Sequence, residues 1–210
     1  KTNNTFCDLQ SLEFSSLIGS SAGAIGINRA ILCNGANLAF RKDIFLHGDN
    51  ISNNKIASGD DVFLLHSLKR LFKKSIFFIK DQDVIVTTNA CITLKQFINQ
   101  RKRWAAKSTR YTDIDTVLVS YIILLTNLIL VSLFFITIIN LDFFVLFSVF
   151  YLAKFFVDYL ILYPVLHFFS RKDLVKWIFP FGIFYSFYII FIVINSFSTS
   201  FTWKERTHTQ

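Results

Sequence analysis

Residues 117–140 read VLVSYIILLTNLILVSLFFITIIN, a run without one charged side chain. Coiled as a helix, it is roughly 36 Å long, enough to cross the hydrocarbon core of a bilayer. A second run, Phe143–Phe169, has the same character but carries Lys154 and Asp158. Four positions apart, these two share a helix face and are expected to pair, turned toward protein or a wet cavity rather than lipid. A third run, Trp177–Phe197, has Pro180 near its start, where a helix tolerates proline. Runs this long and this closely spaced predict membrane helices rather than the core helices of a large soluble protein.

The composition points the same way. The chain has 210 residues and is 53% hydrophobic, with 26 Phe and 2 Pro, more apolar mass than a soluble domain of this size carries. That mass is concentrated in the second half. Three regions follow: a globular part over 1–112, ending in an amphipathic helix, a transmembrane region over 113–203, and a tail over 204–210. The net charge is +8, from 22 Lys+Arg against 14 Asp+Glu. Beside membrane segments, that balance favours lipid headgroups and phosphate-bearing substrates over nucleic acid.

Cys7, Cys33 and Cys91 are odd in number and widely separated, without zinc-ligand spacing. They suggest neither a disulfide framework nor a metal site, and they fit a reducing, cytosol-facing compartment. His47, His66, His167 and His208 show no ligand spacing. The sequence holds no methionine, and its start, Lys1–Gln10, is polar and unlike a signal peptide. The expectation from these features is a fragment of a longer protein.

Basic residues orient the spans. Arg101, Lys102, Arg103, Lys107 and Arg110 precede the first run, and Arg171, Lys172 and Lys176 lie between the second and third. The loop at Leu141–Asp142 has none. The positive-inside rule then puts the globular part and the second loop in the cytoplasm. Lys204 and Arg206 would fall outside if all three runs cross, which conflicts with the same rule. One run is therefore a candidate for a re-entrant or interfacial segment.

The globular part divides into short segments. Asp8–Arg29 is helical in pattern and rich in Gly, Ala and Ser, which let a helix approach another helix or the bilayer edge closely. Ile31–Phe40 has apolar flanks around Cys33-Asn34-Gly35-Ala36-Asn37, a hairpin turn by pattern. The same small residues also offer backbone N–H groups as a floor for a sugar. Arg41-Lys42-Asp43 is expected to open a short helix that ends near Gly48.

Ser58-Gly59-Asp60-Asp61 precedes a helical stripe of Leu64, Leu65, Leu68, Leu71 and Phe72. Either Ser58 and Asp61 form a capping box, or Asp61 points into a cleft as a general base whose pKa is set by its acidic neighbour and the helix N-terminus. Ser75–Lys80 and Asp83–Thr88 read as strands around an Asp81-Gln82 turn.

Thr93–Tyr111 reads as a helix capped by Thr93. Leu94, Phe97, Ile98, Ala105 and Ser108 lie on one face, interrupted by Arg101; Gln100, Arg103, Trp104 and Lys107 lie on another. This is either a basic interfacial helix with a Trp anchor, or a surface on which Gln100 and Arg103 hold a diphosphate and Trp104 stacks on a sugar.

The order Cys33-Asn34-Gly35-Ala36-Asn37, Gly59-Asp60-Asp61, Gln100-Arg101-Lys102-Arg103-Trp104 and then apolar spans resembles glycosyltransferase family 2. It is most similar to the membrane-embedded branch that contains cellulose, chitin, hyaluronan and poly-N-acetylglucosamine synthases. The Gln-x-x-Arg-Trp motif directly before the spans is the most specific feature, and the resemblance covers essentially the whole chain.

The resemblance implies an α/β fold. The first part would be a partial GT-A-like catalytic domain lacking its N-terminal nucleotide-binding half, followed by a bundle of about three transmembrane helices. It implies Asp61 as general base, with Asp60 where the family usually has Glu. It implies Cys33, Asn34, Gly35, Ala36 and Trp104 for acceptor binding, and Gln100 and Arg103 for the diphosphate. Inverting transfer from a UDP- or GDP-sugar to a glycan or a lipid-linked acceptor is the expected reaction, at a bacterial inner membrane. A divalent metal, Mg or Mn, is expected for the full enzyme, with ligands outside this chain; Asp81-Gln82-Asp83 matches a DxD by letters only.

Overall fold

A computed structural model describes residues 4–43, 60–72, 74–198, 201–203 and 206–208. The first helix, α1 (Thr5–Gly26), is capped by Asn4, whose side chain accepts a hydrogen bond from the Phe6 N–H. Ser11, Ser16 and Ser21 turn their hydroxyls back onto the helix, onto the carbonyls of Cys7, Glu13 and Leu17, so these three carry no unpaired polar group into the packing. Asn28, at φ 59°, closes the helix in the left-handed region, which Asn tolerates better than most residues.

Next come a 3₁₀ turn at Gly35–Asn37, α2 (Asp60–Leu71) and α3 (Leu94–Ser108). Thr93 caps α3 as expected, in a reciprocal capping box with Gln96. The remaining helices are α4 (Ile114–Ile139), α5 (Phe144–Phe168) and α6 (Val175–Ser198). A two-stranded antiparallel hairpin follows, β1 (Phe201–Trp203) with β2 (Arg206–His208), and β1 packs against α3.

The α/β expectation does not hold. Between residues 4 and 112 no strand forms among the described residues, so there is no α/β, GT-A-like layer; the unit is helical. Segments 75–80 and 83–88 are apolar and β-branched as strands require, yet they run as irregular chain around a turn in which Asp81 accepts from the Asp83 N–H. A strand exists only by hydrogen bonding to a neighbour, and these segments find no backbone ladder here. The Asn-Gly turn is real, but its flanks do not pair as a hairpin. Instead Asn34 caps the 3₁₀ turn, accepting from the Ala36 N–H at 3.1 Å. The expected helix end at Gly48 and the Ser58-Gly59 step lie outside the described residues.

Three helical stretches, Ile114–Ile139, Leu141–Phe168 and Lys172–Ser196, are long and apolar enough to cross a membrane. Their most hydrophobic windows are only 22%, 11% and 17% buried, so most of this apolar surface faces outward, as lipid contact requires. Lys154 pairs with Asp158, and its ammonium lies 5.5 Å from the Tyr185 ring, so this charge faces protein as the spacing predicts. The core sits where α1 meets the spans. Leu12, Leu162, Leu166, Leu174 and Ile178 pack there, with Leu166 and Leu174 sealed from solvent.

Gly19 makes the α1–α5 contact possible. A methyl group at this position would sit 2.7 Å from Val165 Cγ2, whereas one at Gly23 would meet nothing within 4 Å. Gly19→Ala is therefore expected to destabilise the packing by about 1–3 kcal/mol. Gly23→Ala, which gains helix propensity without a clash, should be neutral or slightly stabilising. Thermal unfolding of the two variants in detergent checks both.

Candidate functional site

Asp61 stands in the first turn of α2, and Asp60 opens that helix. The Asp61 carboxylate faces the 3₁₀ turn: its Oδ2 accepts the Gly35 N–H at 3.0 Å, and Oδ1 accepts the Val62 N–H at 2.9 Å. Gly35 is required by this close approach, because a Cβ there would lie 2.9 Å from Asp61 Oδ2. The acidic helix start and the Asn-Gly-Ala-Asn turn, distant in sequence, thus form one hydrogen-bonded unit.

Other groups respond to the same carboxylate. Burial, reinforced by the Asp61 charge, pushes the Cys33 thiol up to about 12. The Tyr111 phenol is pushed up by burial, then by Asp61 and Cys33. Burial pulls the Arg103 guanidinium down, opposed by attraction to Asp61. Around Asp61, then, stand a thiol and a phenol held neutral and one cation from α3. Tyr111 is a residue the sequence reading did not single out.

The base of this unit is braced. Lys69, one face further along α2, binds Asp113 and Asp115, both at 2.8 Å. The Thr116 hydroxyl lies 3.0 Å from His66 Nε2 and 3.2 Å from the Ile31 carbonyl. Burial lowers the His66 pKa, which keeps this link uncharged. Through these contacts α2 and the chain before Cys33 are fixed to the first turn of α4.

The other candidates on α3, Gln100 and Trp104, make contacts with Arg101, Cys91 and α1. Trp104 packs beside Phe14 of α1, with ring centroids 6.4 Å apart, and the Arg101 guanidinium lies 4.3 Å from its ring centroid. The Gln100 side-chain oxygen accepts from Arg101 Nη1 and, at 3.5 Å, from the Cys91 thiol. Arg101, which interrupts the apolar face by pattern, is buried in that face. Its Nη2 binds Glu13 Oε2 at 2.7 Å and its Nε binds Oε1 at 3.0 Å, with both side chains nearly sealed from solvent. Burial alone would pull the Arg101 pKa down, but the Glu13 hydrogen bonds and charge outweigh it and hold the cation firmly. The Tyr188 hydroxyl of α6 donates to Glu13 at 2.9 Å.

Sequence reasoning missed Glu13, Arg101 and Tyr188 as a set. A single acid in a small-residue helix and a single base on an apolar stripe were the available signals, since buried charges require partners. Among the described residues, no three His, Cys, Asp or Glu side chains gather as a metal site. The carboxylate of Asp61 is engaged by backbone N–H groups, and the ligands of the expected divalent ion are placed outside this chain. A cleft of about 270 Å³ lies away from Asp61, between Ile25, Asn28, Lys69 and Lys74.

No protein-family model, curated protein or solved structure matches this chain.

The geometry gives a reactivity forecast. Because the thiolate is the nucleophile, a thiol held near 12 should resist alkylation at pH 8. In a chain with Cys7 and Cys91 replaced by Ser, Cys33 should label with iodoacetamide far more slowly than a free model thiol. Removing the negative charge with Asp61→Asn should speed that labelling, and a mass-spectrometric time course measures both.

Proposed function

We propose that this chain carries the acceptor side of an inverting glycosyl transfer at a membrane, with a nucleoside diphosphate sugar as donor. The observation that carries the reading is the meeting of Asp61, the Gly35 backbone and the field of Arg103, drawn from three separate segments. A carboxylate with two N–H donors still has lone pairs for a substrate proton. In the proposed step, an acceptor hydroxyl oxygen bonds to the anomeric carbon. The bond from that carbon to the diphosphate breaks with its electron pair, and the hydroxyl proton passes to Asp61. Arg103 is suited to offset charge on the departing diphosphate. Asn34 and Ala36, in the turn beside Asp61, would form the acceptor floor, and Cys33 stays a neutral wall.

The family order of motifs supports the same reading, with a UDP- or GDP-sugar as donor and a glycan or lipid-linked sugar as acceptor. The apolar helices would hold the reaction at the bilayer, with the basic segments and Asp61 on the cytoplasmic side. Packing of the C-terminal hairpin against α3 favours a third run that does not carry the tail to the far side. Product length in a radiolabelled nucleotide-sugar assay distinguishes a processive polysaccharide synthase from transfer of a single sugar.

A second reading, a membrane protein without chemistry, is favoured by one observation: Gln100 and Arg101 are engaged in internal contacts. Asp61→Asn separates the two readings. The Asn oxygen still accepts the Gly35 N–H, so membrane insertion should be unchanged, while transfer by membranes expressing the whole protein should fall about 10²–10⁴-fold. Full activity in this variant removes Asp61 from the mechanism. Trp104→Ala is expected to raise the acceptor concentration needed for half-maximal rate while the protein remains folded; loss of folding instead assigns Trp104 to anchoring.

A further inference from the structure

We infer that Glu13 and Arg101 are positioning residues that set the orientation of Trp104, and with it the acceptor-facing side of α3. The inference rests on the acceptor role proposed above for Trp104, but the geometry beneath it stands by itself.

Arg101 makes two kinds of contact. Its edge binds both oxygens of Glu13 on α1, and its cationic face lies 4.4 Å from the Phe97 centroid and 4.3 Å from that of Trp104. The bidentate pair fixes the plane of the guanidinium. A fixed plane in turn fixes where the electron-rich face of the indole is favoured, because the attraction is directional and strengthens when water is excluded. Arg101 Nη1 also reaches the Gln100 oxygen, so one guanidinium orients two residues of the Gln-x-x-Arg-Trp face.

Glu13 is held in turn by the Tyr188 hydroxyl, and the Tyr188 ring stacks on Phe97 with centroids 5.7 Å apart. The orientation of Trp104 is thereby tied to α1 and to a membrane helix. A shift of α6 would be felt at the ring without any contact between Trp104 and α6 being needed.

The test uses the whole protein in membranes or detergent with Trp177→Phe and Trp203→Phe, leaving Trp104 as its only tryptophan if no further Trp is present in the expressed protein; any such residue is replaced as well. Glu13→Gln should red-shift the Trp104 emission and raise its acrylamide quenching at least about twofold, with transfer at limiting acceptor falling roughly 10- to 100-fold. Tyr188→Phe, which keeps the ring stack, should produce a smaller shift in the same direction.

The charge swap Glu13→Arg with Arg101→Glu separates positioning from mere pairing. It restores an ion pair but leaves a carboxylate beside the indole. Recovery of thermal stability without recovery of the Trp104 emission supports positioning; recovery of both overturns it. If Glu13→Gln fails to fold, Tyr188→Phe and the swap decide. Unchanged emission and quenching in Glu13→Gln or Tyr188→Phe also overturns the inference. If wild-type protein transfers no sugar, the functional reading fails, while the fluorescence of these variants still decides whether Glu13 and Arg101 hold Trp104.

Discussion

The arrangement depends on one buried ion pair, Glu13 with Arg101, closed by the Tyr188 hydroxyl. Taking two charges out of water is expensive and is recovered only when geometry and extra hydrogen bonds are good. Here the carboxylate receives two N–H groups of one guanidinium, the Nε–H shared between both oxygens, and an O–H bond from the phenol. Removing either partner would leave a naked charge beside apolar rings, a loss on the order of 3–5 kcal/mol for pairs of this kind. The pair gains its importance from where its members sit. Glu13 belongs to α1, Arg101 to α3 and Tyr188 to α6, so it ties together three helices that also meet through the Phe14–Trp104 and Phe97–Tyr188 rings.

A second set of charges does similar work closer to water. Lys69 bridges Asp113 and Asp115, and Arg29 adds a contact to Asp115 at 3.1 Å. Asp113 also caps α4, accepting from the Thr116 N–H, so one side chain both starts a membrane helix and anchors α2 to it. Asp61 lies two turns before Lys69 on the same helix, so this anchor fixes its place relative to the first turn of α4. Close packing of α1 on α5, allowed by Gly19, completes the platform. The candidate site is thus built on the ends of membrane helices rather than on a freestanding domain.

The two halves of the expected motif set behave differently. Asp61 and Gly35 meet directly, and Arg103 lies within the field of the carboxylate. Gln100 and Trp104 are organised instead by Arg101, a residue that looked like a flaw in an amphipathic pattern. An amphipathic wheel classes a lone Arg among apolar residues as an interruption. Only the presence of Glu13, which is 88 positions away, converts it into a buried fixture.

The amino-acid sequence by itself determined the three helices long and apolar enough to cross a membrane, the Thr93 cap and the pairing of Lys154 with Asp158. Each of these depends on residues within a few turns of one another, or on bulk hydrophobicity, and such information is local. Strand pairing was not local. Segments 75–80 and 83–88 have the composition of strands, but a strand is completed by a partner's backbone, and their letters do not say whether one is present. The joining of Asp61 to Gly35 and of Arg101 to Glu13 was likewise decided by tertiary structure alone, because a buried charge demands a partner without naming it, and the folded chain makes the choice.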